Sequence, residues 1–289
     1  MGKPEYTVRG LRGQSNPAAK LCGASHSRMA DINVLLGTSV VLVAHADDEV
    51  IGFGALMQRM RKAVVVFATD GAPRDEYFWK PYGSREAYAE IRRQEARAAL
   101  AVVGAEPVFL ADRVAEGIAD QELFRRLPQA LEAFRNVVAE IRPNALLTLS
   151  YEGGHPDHDS ACFIATMVGR SVGIPVWEGP LYHREPDGTG AVQKFHQLSG
   201  EEVELKVAGE EMRRKLEMFH TYKSQKLTLD VFRPEVEKFR PVGNYDFTRP
   251  PMPWKLNYEI WQWKMTGEQV ASAFADYLRS EEAVQTGEL

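Results

Sequence analysis

The feature that most constrains the fold of this chain is a regular alternation of short apolar runs with longer stretches of helical periodicity. Parallel strands need crossover connections of about a dozen or more residues, usually helices, so this order predicts repeated strand-helix-strand units. The apolar runs are continuous and rich in β-branched residues, which indicates strands that are buried on both faces. We therefore predict an α/β fold with a Rossmann-like, doubly wound, mostly parallel sheet. The predicted strands lie within 39–44, 63–70, 107–112, 144–150 and 175–185, and the predicted helices within 49–62, 84–105, 121–143 and 158–173.

The chain divides into three predicted regions. Residues 1–28 are rich in Gly, Ser, Asn and Arg without a hydrophobic period, which predicts an N-terminal arm. Residues 29–190 carry the alternating pattern and form the predicted Rossmann-like core. Residues 191–289 become rich in proline and aromatic residues, and we expect them to pack on the same domain as a C-terminal cap, with one further helix over 202–225.

The composition of the chain excludes several classes of protein. Its formal net charge is -5, and its lysines and arginines are scattered among acidic residues, so it offers no basic surface for a nucleic acid. Two cysteines are too few for a disulfide framework. The sequence has neither the apolar core of a signal peptide nor the roughly 18 consecutive apolar residues of a membrane span. We expect a cytoplasmic protein that does not span a membrane.

Polar residues follow four of the predicted strands, at the points where the strands end. In an open parallel sheet the carboxyl ends of the strands meet at one edge, and ligands bind in the crevice there. We therefore expect the four segments to converge on one site. They are His45 to Glu49 after the first strand, Thr69 and Asp70 after the second, Asp112 after the third, and Tyr151 to His158 after the fourth.

The spacing within two of these segments suits a metal ion. His45 and Asp48 are three residues apart, and so are His155 and His158. Two imidazoles and one carboxylate, with one position left open for water, are the ligand set of a catalytic zinc. The alternative is that the acidic residues only cap the helix that begins near Val50, where carboxylates favour the positive end of the helix dipole. Capping accounts for one or two acids but not for His45 or for the second cluster.

His45-Ala46-Asp47-Asp48-Glu49, followed by His155-Pro156-Asp157-His158, resembles the paired signature of the LmbE/PIG-L family of metal-dependent N-deacetylases and related amidases. The resemblance covers about Ser39 to His183. It implies a zinc hydrolase with a Rossmann-like sheet that acts, through a metal-activated water, on an N-acetylglucosamine-containing lipid, a thiol glycoside, a chitooligosaccharide or an antibiotic intermediate. By position, it implies that the zinc ligands are His45, Asp48 and His158, that Asp47 is the general base, that His155 assists at the substrate carbonyl, and that Asp157 orients His155.

Two features leave details of this site open. The proline that the family usually has between the first histidine and the aspartate pair is Ala46 here, so the turn lacks a residue that fixes φ near about -65°. The alanine leaves the rigidity of this loop in question. The identity of the ion is also open, because imidazole and carboxylate ligands accept other divalent transition metals as well as zinc.

Three further residues are candidates for binding the substrate. In the resembling family an arginine near Arg92 helps to hold the substrate, although an arginine on a helix is commonly a solvated ion-pair partner. His183 follows the fifth predicted strand, and Arg74 lies in the loop after Gly71, where it suits a lid or a clamp; a solvent-facing charge is the alternative for each. Aromatic residues of the cap, including Trp261 and Trp263, suit a core, an interface between copies in a homo-oligomer, or a surface that stacks on a sugar.

We weigh three functions. The leading one is deacetylation of an N-acetylated amino sugar or a small glycoconjugate, and the second is cleavage of a larger acyl or thiol-conjugate amide at the same metal site. The third is a non-catalytic, Rossmann-like binding protein. The first strand is followed by acidic residues and not by Gly-x-Gly-x-x-Gly, and acids at that place would repel a pyrophosphate, which disfavours a dinucleotide-binding module.

Overall fold

The centre of the fold is a seven-stranded sheet, which is seen in a computed structural model that describes residues 31–286. Five neighbouring strands are parallel to one another, and two further strands extend one edge of the sheet in the antiparallel direction. A separate two-stranded hairpin lies beside the sheet. The strands are β1 (Thr38–Val43), β2 (Lys62–Phe67), β3 (Glu106–Phe109), β4 (Ala145–Leu149), β5 (Val176–Gly179), β6 (Tyr182–Arg184), β7 (Gly190–Val192), β8 (Val203–Lys206) and β9 (Val236–Pro241), and the order in the sheet is β3-β2-β1-β4-β5-β9-β8.

Helices cover both faces of this sheet. Side chains alternate along a strand, so Val40 and Leu42 of β1 pack into one apolar layer and Val41 and Val43 into the other. Burial on both faces explains why the parallel strands are continuously apolar, and the predicted doubly wound α/β fold is confirmed. The helices are α1 (Asp48–Met57), α2 (Glu76–Trp79), α3 (Arg85–Val103), α4 (Leu127–Ile141), α5 (Pro156–Val172), α6 (Gly209–Thr221), α7 (Lys226–Leu229), α8 (Asn257–Ile260) and α9 (Gly267–Thr286).

Local signals set the ends of the helices that flank the site. The Ser84 side chain accepts a hydrogen bond from the backbone of Ala87 and so caps the start of α3. The same helix ends at Gly104, whose φ of 71° suits a residue without a side chain. Helix α4 ends at Arg142, directly before Pro143, which cannot continue a helix.

The C-terminal region differs from the prediction in one respect. We expected a helix over 202–225, but its first part forms β8, and α6 begins only at Gly209. Strand β8 pairs with β9, and β9 pairs with β5, so two strands of the predicted cap belong to the sheet. The physical reason is pairing with residues about thirty positions away, which a local helical period does not report.

The described residues test two other expectations only in part. Within residues 31–286, no helix combines the length and the apolar character that crossing a bilayer requires. The predicted arm, residues 1–28, lies outside the described residues. The boundary between a core of 29–190 and a cap of 191–289 stays a prediction.

Candidate metal centre

The parallel pairing of β1 with β4 brings the two motifs together. His45 follows the end of β1, and the loop that leads to His155 follows the end of β4. Both segments therefore meet at the carboxyl edge of the sheet, as expected for ligand sites in such folds. The imidazole rings of His45 and His155 have their centres 4.4 Å apart, and those of His45 and His158 are 5.3 Å apart.

Asp48 lies between two of the imidazoles. Its Oδ1 is 3.2 Å from Nε2 of His158, and its Oδ2 is 3.5 Å from Nδ1 of His45. Burial alone would raise the pKa of Asp48, but the two facing imidazoles hold it well below its ordinary value. Asp48 is therefore an ionised carboxylate, the form that binds a cation.

A second set of side chains surrounds His45 from the other side. Oδ1 of Asp120 lies 3.3 Å from Nε2 of both His45 and His155, and Oδ2 of Asp157 lies 3.3 Å from Nε2 of His45. Asp120 was not among our candidates from the sequence. Among the described residues, two groups have ligand atoms within 4.8 Å of one another: His45, His155 and His158; and His45, Asp120, His155 and Asp157. Asp48 belongs to neither group.

The side chains at this edge fit a divalent metal ion. Both ring nitrogens of His158, and Oδ1 of Asp120, are buried and form no hydrogen bond within residues 31–286. Buried polar atoms without partners are costly, and they are rare unless a water or an ion completes them. Imidazole nitrogens and carboxylate oxygens are also the donor atoms of catalytic zinc sites and of related transition-metal sites.

Asp47 is held in an uncommon backbone conformation next to these ligands. Its φ is 138°, a value that side-chain-bearing residues rarely adopt, and such residues concentrate at functional sites. Burial raises the pKa of Asp47 to about 7, while the positive charge of Arg92 opposes the rise. Its carboxylate lines the cavity beside the imidazoles and forms an ion pair with Arg92.

Arg92 fixes the loop that carries Asp47. Its guanidinium donates hydrogen bonds to the carbonyls of Ala46 at 2.6 Å and Gly71 at 3.1 Å, and to Oδ1 of Asp47 at 3.1 Å. Gly71 permits this approach, because a Cβ at that position would lie 3.0 Å from Nε of Arg92. The loop that contains Ala46 and Asp47 is thus held by the buried arginine.

The neighbouring acid, Glu49, faces away from the ligand cluster. It accepts hydrogen bonds from the hydroxyl of Tyr222 and from the backbone of Asp47. Burial raises the pKa of Glu49 to about 8. Glu49 therefore stabilises the loop through its hydrogen bond with the backbone of Asp47.

His155 is oriented by the start of α5. Its Nδ1 accepts a hydrogen bond from the backbone N–H of Asp157 at 3.1 Å, so the ring hydrogen is on Nε2, which faces Asp120. Burial lowers the pKa of His155, and the charge of His45 lowers it further.

The side chain of Asp157 has other partners. Its two oxygens accept hydrogen bonds from the backbones of Gln121 and Leu123, and so hold the loop that delivers Asp120. The carboxylate lies 4.0 Å from Nδ1 of His155, and the hydrogen bond to that nitrogen comes from the backbone of Asp157. Its role in orienting His155 stays a prediction, which the structure supports through this backbone N–H.

The three predicted substrate-binding residues lie in different places. Arg92 lines the cavity beside the imidazoles, but the hydrogen bonds described above go to protein atoms. Arg74 is exposed and forms an ion pair with Glu122. His183 is fully buried, and its Nδ1 lies 3.4 Å from Oε2 of Glu152. Neither Arg74 nor His183 lines the cavity, so contact of these two with a substrate is a prediction that the geometry does not favour.

The cavity at this edge is small and mostly polar. Its volume is about 110 Å³. Most of its lining residues are polar, and Tyr182 and Ile51 add apolar surface. The lining residues are His45, Asp47, Asp48, Ile51, Arg92, Asp120, His155, His158, Tyr182, Gln225 and Thr228.

Comparison with solved structures shows a shared fold. A deacetylase triple mutant from the teicoplanin biosynthetic pathway superposes with a TM-score of 0.56 at 19% identity, covering 72% of this chain and 99% of that one. The A40926 pseudoaglycone deacetylase gives 0.55 at 23% identity, with 72% and 98% covered. A zinc-inhibited form of a teicoplanin deacetylase gives 0.54 at 17% identity, with 72% and 99% covered.

Comparison with protein families identifies a matching segment of this chain. No curated protein matches the chain. The model of the PIG-L family, described as GlcNAc-PI de-N-acetylase, matches residues 40–168, the segment that contains both histidine motifs and Asp120. Residues 40–168 of this chain therefore match the PIG-L (LmbE-like) deacetylase domain.

Proposed function

We propose that this protein is a metal-dependent N-deacetylase that removes the acetyl group from an N-acetylated amino sugar or a small glycoconjugate. The observation that carries the proposal is the position of Asp47. Its buried carboxylate lines the same cavity as the imidazoles and pairs with the guanidinium of Arg92, whereas the carboxylate of Asp48 lies between two of the imidazoles. The PIG-L match supports the same activity.

We infer that His45, Asp48 and His158 hold the ion, and that the ion is zinc. The position of Asp48 between the imidazoles of His45 and His158 supports this set. When bound, an ion of this kind lowers the pKa of a coordinated water toward about 7 and polarises the substrate carbonyl. Another divalent transition metal would suit the same donor atoms.

Asp47 is the general base of the proposed reaction. Its carboxylate accepts a proton from the attacking water, while the water oxygen forms a bond to the acetyl carbon. The carbon-nitrogen bond then breaks, and Asp47 returns the proton to the departing nitrogen. The products are acetate and a free amine. A carboxylate whose pKa is about 7 suits both proton transfers at neutral pH.

His155 stabilises the oxygen of the reacting carbonyl. Because Nδ1 of His155 accepts from the backbone of Asp157, its Nε2–H is the ring donor on the cavity side, where Oδ1 of Asp120 lies 3.3 Å away. A donor placed where negative charge develops is often worth a few kcal/mol of the barrier. This role does not need a protonated ring, which agrees with the lowered pKa of His155.

The size of the cavity favours a small acyl group. A cavity of about 110 Å³ suits an acetamido group. A larger acyl or thiol-conjugate amide would have to extend out of the cavity at the acyl end. We therefore propose that the reaction is hydrolysis of an acetamide, with release of acetate.

Acetate release tests this function. Protein loaded with one equivalent of zinc is incubated with N-acetylglucosamine, its methyl glycoside and N,N′-diacetylchitobiose, and free acetate is measured. We expect release from at least one of these compounds, and none after chelation or from a zinc-loaded Asp47→Asn variant. Equal release by the Asp47→Asn variant, or release only from long-chain N-acyl compounds, would contradict the proposal.

A further inference from the structure

We propose that Trp261 and Trp263, together with Tyr182, form a surface that binds the pyranose ring of the substrate beside the metal centre. We call these three residues the aromatic wall. The inference rests on the proposed deacetylase function and adds to it the residues that contact the sugar ring. All three residues lie outside the segment 40–168 that matches the family.

The aromatic wall runs from the imidazoles to the surface of the protein. The ring of Trp263 meets that of His155 edge-on, with centres 4.9 Å apart, and the ring of Trp261 lies 5.1 Å from that of Trp263. Tyr182 lies 5.3 Å from His158 and 6.2 Å from Trp261. Trp261 is 45% exposed, so the far end of the wall is open to a ligand.

Hydrogen bonds attach the wall to the loop that carries His155. The backbone of Asn257, the first residue of α8, donates to the carbonyl of Gly153 at 3.0 Å, and its side chain donates to that of Gly154 at 3.2 Å. The guanidinium of Arg184 donates to Oδ1 of Asn257 at 2.7 Å. The aromatic wall and the metal centre therefore share one framework.

The backbone between the two tryptophans is in the left-handed region. Gln262 has a φ of 57°, which is uncommon for a residue with a side chain. This turn ends the short helix and lets the backbone of Trp263 donate to the carbonyl of Tyr258 at 3.0 Å. It brings Trp263 against His155 while Trp261 stays at the surface.

The polar lining of the cavity explains why we choose a sugar. Gln225 and Thr228 line the cavity together with Tyr182, so amide and hydroxyl groups border the same cavity as this ring of the aromatic wall. A pyranose has an apolar face of C–H groups, which stacks on aromatic rings, and an edge of hydroxyls, which hydrogen-bonds to polar side chains. An aryl group or an acyl chain would leave these polar side chains unmatched.

A pair of substrates that share the acetamide tests the wall. Zinc-loaded wild-type and Trp261→Ala proteins are compared on the methyl glycoside of N-acetylglucosamine and on acyclic N-acetylethanolamine. We expect kcat/KM to fall about tenfold for the glycoside and less than about twofold for the acyclic amide; tenfold corresponds to about 1.4 kcal/mol. Trp261→Phe should recover most of the loss. Ile260→Ala, which truncates the adjacent exposed residue, is the matched control and should change neither value.

A binding measurement separates this inference from the deacetylase function. Calorimetric titration of metal-free protein with the methyl glycoside should give a Kd about tenfold weaker for Trp261→Ala than for wild type. If wild-type protein binds the glycoside through Trp261 but releases no acetate, the result contradicts the proposed deacetylase function and still supports sugar binding by the aromatic wall.

Three results would overturn the wall itself. The first is an equal loss of kcat/KM on both substrates, or no loss on either. The second is a larger effect of Trp261→Ala on N-benzylacetamide than on the glycoside, which would indicate an aryl site. The third is dissociation of an oligomer by the Trp261→Ala substitution, seen by size-exclusion chromatography, which would make the wall an interface between copies.

Discussion

Arg92 donates a hydrogen bond from Nη2 to Oδ1 of Asp47 at 3.1 Å, and the same nitrogen donates to the carbonyl of Ala46 at 2.6 Å. Both side chains are buried. The arginine thus binds the carboxylate that we propose as the base together with the backbone that positions it. This arrangement gives the loop the constraint that a proline would otherwise supply.

Arg92→Lys should therefore lower kcat by at least about tenfold, because a displacement of about 1 Å in a reacting group can cost up to about 100-fold. KM and zinc content should change little. Steady-state kinetics of the zinc-loaded protein check this. Arg93→Lys is the matched control, since Arg93 pairs with Asp112 at the surface and should leave kcat unchanged. A raised KM with a normal kcat would instead support the substrate-binding role that the sequence suggested for Arg92.

Asp47→Asn should keep zinc and reduce turnover by roughly 100- to 10,000-fold, the usual contribution of general acid-base catalysis. The amide preserves the shape of the side chain but cannot accept the proton at neutral pH. Metal analysis and acetate release on the same sample provide the test. Near-normal turnover in a zinc-loaded Asp47→Asn sample would rule out the role as base.

A buried ion pair between α6 and β9 should contribute strongly to the stability of the fold. Nζ of Lys215 lies 2.6 Å from Oε1 of Glu237, both side chains are fully buried, and Glu237 also accepts from the backbones of Ala55 and Leu56 in α1. Removing one partner leaves an uncompensated charge, so Lys215→Met should lower the free energy of unfolding by about 3–5 kcal/mol.

Urea denaturation of matched variants checks this value. Arg213→Ala, which removes a fully exposed ion-pair partner on the same helix, is the control and should leave the midpoint nearly unchanged. Lys215→Met combined with Glu237→Leu should be less destabilised than Lys215→Met alone. A single Lys215→Met variant as stable as the control would contradict the account.

The stability of the fold should fall with rising pH because of Glu178. Burial raises its pKa from 4.5 to about 7, although the guanidinium of Arg240 and the hydroxyl of Tyr245 favour its charged form. Between these two values the folded protein keeps a proton that the unfolded chain has lost. The contribution of Glu178 is therefore fully present below about pH 4.5 and is lost as the pH rises to about 7, by up to about 1.4 kcal/mol per pH unit.

Comparison of urea midpoints at pH 5.5 and 7 tests this sign. The Glu178→Gln variant has no proton to lose and should show a shallower dependence than wild type, even if it is less stable at both values. A wild-type stability that rises over this interval, with the same slope in Glu178→Gln, would show that Glu178 is ionised in the folded state at both pH values.

Local sequence was sufficient to predict the central sheet and the meeting of the two histidine motifs. Short-range sequence patterns indicate which strands are buried and where helices are capped. The parallel arrangement of the strands then places their carboxyl ends at one edge of the sheet. Asp120 was missed because it lies in an irregular loop. Its position depends on hydrogen bonds from Gln121 and Leu123 to Asp157, which join residues more than thirty positions apart.

The same limit applies to the C-terminal region. Leu205 fitted a helical period with Met212, yet it lies in β8, because pairing with β9 determines the conformation of that segment. The contact of Trp263 with His155 likewise joins segments about a hundred residues apart. The sequence left three roles open for these aromatic residues: a core, an interface between copies or a surface that binds a sugar. Composition alone does not show where in the fold a ring lies.

The most direct test of the account is zinc content measured after equilibrium dialysis for wild type, Asp48→Ala and Asp120→Ala. We predict close to one zinc per chain in wild type and in Asp120→Ala, and nearly none in Asp48→Ala. The reverse pattern, with zinc retained by Asp48→Ala and lost from Asp120→Ala, would place the ion among His45, Asp120, His155 and Asp157 and contradict the proposed site.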